Sequence, residues 1–69
     1  MNEFEKLLSN LNSMSNFVLA MLFDNATNRT NEEILLKDRI MTILEGRDKE
    51  LFEMYLNDET SNKISRYFK

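Results

Sequence analysis

Six carboxylates lie close together in the second half of the sequence, and a close pair of such groups could do acid–base chemistry. They are Glu45, Asp48, Glu50, Glu53, Asp58 and Glu59. On a helix, Glu50 and Glu53 share a face, and two carboxylates can work as acid and base when burial separates their pKa values. Arg47 and Lys49 interleave with these acids, which is typical of a solvated helix surface. We therefore interpret the acids as an exposed surface and not as a catalytic pair.

The residues that usually support other kinds of catalysis, or that bind metal ions, are absent from the sequence or stand at the wrong positions. The chain has no cysteine and no histidine, so it has no thiolate nucleophile, no zinc thiolate and none of the commonest general base. The twelve residues from Asp24 to Leu35 have the length of a calcium loop, but Ala26 and Arg29 occupy its third and sixth positions and no carboxylate ends it. We predict that the chain is not an enzyme, with no catalytic residue, metal site or cofactor.

Aromatic and methionine side chains are the remaining candidates for binding. The aromatic ones are Phe52, Tyr55, Tyr67 and Phe68. They could stack on bases, but the net charge is −3 and basic residues are scattered, with one small C-terminal group at Lys63, Arg66 and Lys69. Protein contact or core packing is therefore preferred over nucleic acid. The methionines that could fill core gaps or line a groove for a partner helix are Met14, Met21, Met41 and Met54.

Helices must position these residues, because strand patterns are weak and the sequence has no proline. At 69 residues the chain is predicted to be one domain, 1–69. Apolar residues three and four apart predict a first helix over about 3–23. Its second half is apolar nearly all round, so we expect that half to lie deepest. The longest apolar run, Phe17 to Phe23, is far shorter than the roughly 20 residues that a membrane span needs.

The remaining predicted helices cover about residues 31–45, 48–57 and 62–68. Thr30 and Glu33 form a capping box at the start of the second helix. Gly46 is expected as a left-handed cap at its end, and Asp48 as the N-cap of the third. The sequence therefore predicts an all-α chain: a small bundle of three helices plus a short C-terminal helix, in which the second and third helices form an αα-hairpin.

The N-terminal half of the first helix has more apolar surface than the other helices can cover. Its apolar residues are Phe4, Leu7, Leu8, Leu11 and Met14. Exposed apolar patches usually mark interfaces, and small bundles often gain stability by self-association. We therefore expect a homodimer formed through these five residues.

The stretch "RIMTILEGRDKELFEMYL", residues 39–56, resembles the IDEAL domain, a short two-helix module of small, mainly Gram-positive bacterial proteins. Its core pattern is Ile-Asp-x-Ala-Leu, followed by an Arg-Asp or Gly-Asp pair, a Glu and a Phe. Met41 and Ile43 stand where the family has Asp and Ala, which removes a polar contact and changes how closely the helices approach. The resemblance extends over about residues 16–58. The matching residues are Ile40, Leu44, Arg47, Asp48, Glu50 and Phe52.

The resemblance implies a non-catalytic protein–protein interaction module. We expect a cytoplasmic bacterial or phage protein that acts as an adaptor or regulator, with no membrane partner. The residues expected to form or support its partner surface are Arg47, Asp48, Glu50, Phe52 and Tyr55. A simpler interpretation stays open, in which Asp48 only caps a helix, Phe52 is core and Arg47 is solvated.

Two other functions stay open. A phage-type inhibitor could use acidic helices to mimic nucleic acid and block a host enzyme, but a net charge of −3 is small for a mimic. A helix-turn-helix regulator would need basic or amide side chains facing outward on its recognition helix. The stretch "DKELFEMYLNDE" presents mostly acids, which disfavours this second alternative.

Overall fold

Five helices make up the fold in the computed structural model, which describes residues 2–68. Met1 and Lys69, the ends of the predicted domain, lie outside the described residues. No strand is present within residues 2–68, so the all-α prediction is confirmed. The helices are α1 (Glu3–Asn10), α2 (Asn16–Asn25), α3 (Asn31–Arg47), α4 (Lys49–Leu56) and α5 (Ser61–Tyr67), and a 3-10 turn, Leu11–Ser13, follows α1.

The prediction of one continuous first helix over 3–23 is wrong, because the chain leaves the helical conformation between α1 and α2. Met14 is extended, with φ −87° and ψ 150°. The Ser15 hydroxyl then accepts a hydrogen bond from the Val18 N–H at 3.2 Å and starts α2 as its N-cap. Serine and asparagine compete with the helix for backbone hydrogen bonds, and they are concentrated in this segment. The described fold therefore has one helix more than predicted.

The predicted left-handed cap at Gly46 is also wrong. Gly46 lies inside α3, and its φ is not positive. The helix continues because the Asp48 N–H still donates to the Leu44 carbonyl at 2.7 Å. Among residues 2–68, the left-handed non-glycine residue is Asp58, with φ 55°, in the turn after α4. Aspartate tolerates this conformation better than most side chains do.

The core lies where α2, α3, α4, α5 and the 3-10 turn meet. No polar or charged side chain is buried there among the described residues, so the fold depends on apolar burial and on capped helix ends. α3 and α4 pack on each other, and their arrangement as a hairpin stays a prediction. Within residues 2–68, no helix is long and apolar enough to cross a bilayer. The buried residues are Leu11, Leu19, Ala20, Leu36, Ile40, Leu44, Leu51, Tyr55 and Ile64.

Candidate binding surfaces

Asp48 connects three helices. It ends α3 and begins α4, and its carboxylate accepts a hydrogen bond from the Leu51 N–H at 3.2 Å, which confirms the predicted N-cap. The other oxygen of the same carboxylate accepts the hydroxyl hydrogen of Tyr67 in α5. This hydrogen bond is the main reason that the pKa of Tyr67 rises from 10.0 to about 12. Asp48 is half-buried, and its described contacts are structural.

Arg47 connects the end of α3 to the break between α1 and α2. Its guanidinium donates to the Met14 carbonyl at 2.6 Å and also to the Asn12 carbonyl. Where a helix ends, carbonyl groups lose their intrahelical partners and need another donor. A guanidinium can serve two carbonyls at once because its N–H groups form a rigid, planar fork. Arg47 therefore holds α1 against the body of the fold, although its side chain is exposed.

The other three residues predicted for the partner surface differ in exposure. Tyr55 is buried, its hydroxyl donates to the Ala20 carbonyl at 3.3 Å, and its ring lies 4.3 Å from that of Phe23 between centroids. Tyr55 can therefore support a surface from inside but does not form one. Phe52 is half-buried and Glu50 is exposed.

Glu50 belongs to an exposed side of α4 that combines acidic and apolar groups. The large side chain of Leu56 is 63% exposed there. Glu50 and Glu53 lie on the same side and form no ion pair with any residue that the structure describes. We call this side the α4 outward face. Its members are Lys49, Glu50, Glu53 and Leu56.

The apolar residues predicted for self-association pack against the chain's own core. Leu11 is fully buried, and the break after α1 lets the other four become half-buried. The expectation that this side of α1 stays exposed in a monomer is therefore wrong. A continuous helix would have carried these residues away from the core, whereas the 3-10 turn and Arg47 bring them back to it. The half-buried residues are Phe4, Leu7, Leu8 and Met14.

An exposed apolar surface occurs on α2 instead, where the sequence predicted deep burial. Phe17 is 53% exposed, Val18 39% and Met21 49%, and the three lie on the side of α2 opposite its buried residues, Leu19 and Ala20. We call these three residues the α2 outward face. The signal for it was the apolar circumference of this segment, from which we expected burial on several sides, whereas so small a fold buries only the side of Leu19 and Ala20.

A shallow cavity of about 180 Å³ lies between the end of α2 and α4. The Lys37 ammonium lies 4.6 Å from the centroid of the Phe23 ring on its wall, a cation–π contact. Partial burial raises the pKa of Asp24, an effect that the Tyr55 hydroxyl and Lys37 partly offset. Burial and the nearby Asp24 raise the pKa of Tyr55 as well.

Metal ligands do not converge in this cavity or elsewhere in residues 2–68, because no three acidic side chains there are placed to hold an ion. The cavity is lined by aromatic rings, by the Lys37 ammonium that Phe23 already engages, and by three carboxylates that form no ion site, those of Asp24, Asp58 and Glu59. In comparisons with known proteins, no protein-family model, no curated protein and no solved structure matches this chain.

Proposed function

We propose that the chain is a non-catalytic protein–protein interaction module, an adaptor or regulator that acts in the cytoplasm of a bacterium or of a phage-infected cell. The observation that carries the proposal is the α4 outward face. It places a largely exposed Leu56 one helical turn from Glu53, with Glu50 and Lys49 one turn further on, and neither glutamate has an ion-pair partner among the described residues. An apolar anchor with acids at its edge suits a partner segment that is apolar in the middle and basic at the rim.

The predicted partner residues have a definite place in this proposal. Glu50 contacts the partner, and Phe52 extends the apolar part from its half-buried position beside Leu56. Asp48 fixes where α4 begins, while Arg47 secures the end of α3. Because side chains held in one conformation lose less entropy on binding, these structural contacts favour association.

The resemblance to the IDEAL domain supports the same proposal from the sequence. Its matched residues occupy the end of α3 and the start of α4, next to the α4 outward face. The departures at Met41 and Ile43, both half-buried, lie on α3 and leave that face unchanged.

The alternative of a nucleic-acid mimic needs carboxylates gathered on one side. Exposed acids here occur on α1, α2, α3 and α4, so no observation favours the mimic over the interaction module. A helix-turn-helix regulator is less supported still, because the α4 outward face presents two glutamates and a leucine with a single basic residue, Lys49. We also propose that the chain forms a homodimer, since a domain of this size has a thin stability margin.

Capture from a Gram-positive bacterial cytoplasm, followed by mass spectrometry, tests the proposed function. The tagged wild-type chain should retain a specific protein, and the double variant Glu50→Gln/Leu56→Ser should lose it. The matched control Glu45→Gln/Ile34→Ser removes one exposed acid and one exposed apolar side chain from α3 and should retain it. Retention of the same protein by the α4 variant would rule out this surface. If the wild type retains nothing specific, the interaction function itself fails.

A further inference from the structure

The α2 helix is apolar around its circumference, but the described chain covers only one side of it. Leu19 and Ala20 are buried against the core. The α2 outward face lies opposite them and exposes large parts of Phe17, Val18 and Met21. Helices that are apolar on all sides are normally covered on all sides, so this face, apart from the edge contact of Phe68 with Phe17, lacks a cover in the isolated chain.

The distribution of charged residues along the chain indicates which molecule covers the α2 outward face. No charged residue occurs between Lys6 and Asp24, so the charges responsible for the net −3 lie elsewhere. Two copies of an acidic chain repel each other over most of their surfaces. The α2 outward face carries no charged side chain of its own, so two copies can bring these three residues together without pairing like charges. On the α4 outward face, by contrast, Leu56 shares its side of the helix with two glutamates, Glu50 and Glu53, and one lysine, Lys49, and this net negative charge disfavours pairing of the face with itself.

We propose that the α2 outward face packs against the same face of a second copy, with the two α2 helices antiparallel about a two-fold axis. The inference rests on the proposed homodimer and specifies its surface. If the contact is centred between Val18 and Met21, then Met21 of one copy faces Val18 of the other. Such a self-complementary contact is what a two-fold axis requires.

The antiparallel direction follows from the helix dipoles, because an antiparallel pair places the positive N-terminal end of each α2 beside the negative C-terminal end of the other. Asp24, in the last turn of α2, is already engaged within its own chain by the Tyr55 hydroxyl and Lys37. A parallel pair would instead bring like dipole ends together. The ring of Phe68 packs edge-on against Phe17, with centroids 5.4 Å apart, and so steadies one end of the face.

Sedimentation equilibrium over a concentration series, from low micromolar to millimolar chain, tests the surface. The wild type should pass from monomer to dimer. Met21→Glu and Val18→Lys should each weaken dimerisation by about tenfold or more, because each places a charge in an apolar contact. The matched control Ile34→Glu changes an exposed apolar residue on α3 and should leave dimerisation unchanged. Far-ultraviolet circular dichroism should be the same for all variants, because all three positions are exposed.

An equimolar mixture of Met21→Glu and Val18→Lys tests the antiparallel direction. The introduced carboxylate and ammonium are then on different copies and would face each other only in the antiparallel pair. The mixture should therefore form a heterodimer although each variant alone does not. Failure of the mixture to dimerise overturns the antiparallel arrangement. A dimer that persists in Met21→Glu overturns the surface while the homodimer stands. A wild type that stays monomeric throughout overturns the homodimer and this inference together.

Discussion

Tyr67 in α5 donates its hydroxyl hydrogen to the carboxylate of Asp48, the one residue between α3 and α4. The same carboxylate caps α4 through the Leu51 N–H. One side chain therefore fixes the start of α4 and also anchors the C-terminal helix. Contacts within the fold therefore explain two charged residues of the stretch around residue 48, namely Arg47 and Asp48.

Asp48→Ala should lower the free energy of unfolding by about 1 to 2 kcal/mol, because it removes both the cap and the acceptor for Tyr67. Asp48→Asn is the matched control. Asparagine is an equally good N-cap, so its loss should be smaller. Urea unfolding followed by circular dichroism measures both. If Asp48→Ala keeps its stability and yet abolishes partner capture, Asp48 contacts the partner and is not only structural.

Gly46→Ala should stabilise the chain by about 0.5 to 1 kcal/mol, because Gly46 lies inside a helix, where glycine costs conformational entropy. A Cβ atom added there would meet no atom within 4 Å. A thermal melt of wild type and variant is sufficient to measure the change. The left-handed cap expected from the sequence predicts the opposite sign, so a destabilised Gly46→Ala would contradict the helical conformation described here.

Arg47→Met should loosen α1, because the carbonyls of Asn12 and Met14 lose their donor while the apolar stem of the side chain is kept. We expect a loss of about 1 kcal/mol in the free energy of unfolding. Relative to the wild type, the rate of amide hydrogen exchange should increase more in α1 than in α4. Arg39→Met, at an exposed position on the same helix, is the control and should alter neither quantity. Equal exchange in the two variants would show that Arg47 does not hold α1.

Both tyrosines of the chain should ionise above their ordinary pKa of 10.0 while the chain is folded. The folded state raises the pKa of Tyr67 to about 12. The stability that its neutral hydroxyl contributes is therefore complete below pH 10.0 and is lost as the pH rises towards about 12. Absorbance titration of tyrosinate measures this directly. In Tyr67→Phe, the remaining signal reports Tyr55 alone, and ionisation of Tyr55 near pH 10.0 would contradict its burial.

The sequence predicted the start of a helix correctly where an N-cap side chain accepts a hydrogen bond from a backbone N–H three residues later. Thr30 accepts from the Glu33 N–H at 3.1 Å, as a capping box requires. The Glu33 carboxylate, however, accepts mainly from the N–H and hydroxyl of Thr27, and the Thr27 bonds are the main cause of the lowered pKa of Glu33. The two short C-terminal elements also occur close to their predicted positions.

The spacing of apolar residues did not predict the break between α1 and α2. Apolar spacing continues through Leu11, Met14 and Val18 as if one helix ran on. The competing signal was the density of serine and asparagine from Asn10 to Asn16. Local preference alone does not decide between the two, because Arg47, more than thirty residues later, also stabilises the break by donating hydrogen bonds to its carbonyl groups.

The sequence alone determined that the chain is helical, that Thr30 and Asp48 cap helix starts, and that the chain has neither histidine nor cysteine. Only the tertiary structure decided which apolar residues are covered. It buried Leu11 and left Met21 half exposed, the reverse of the order expected from one long helix. The physical reason is that a side chain's burial depends on contacts between residues far apart in sequence, and those contacts follow from the direction in which each helix leaves its turn.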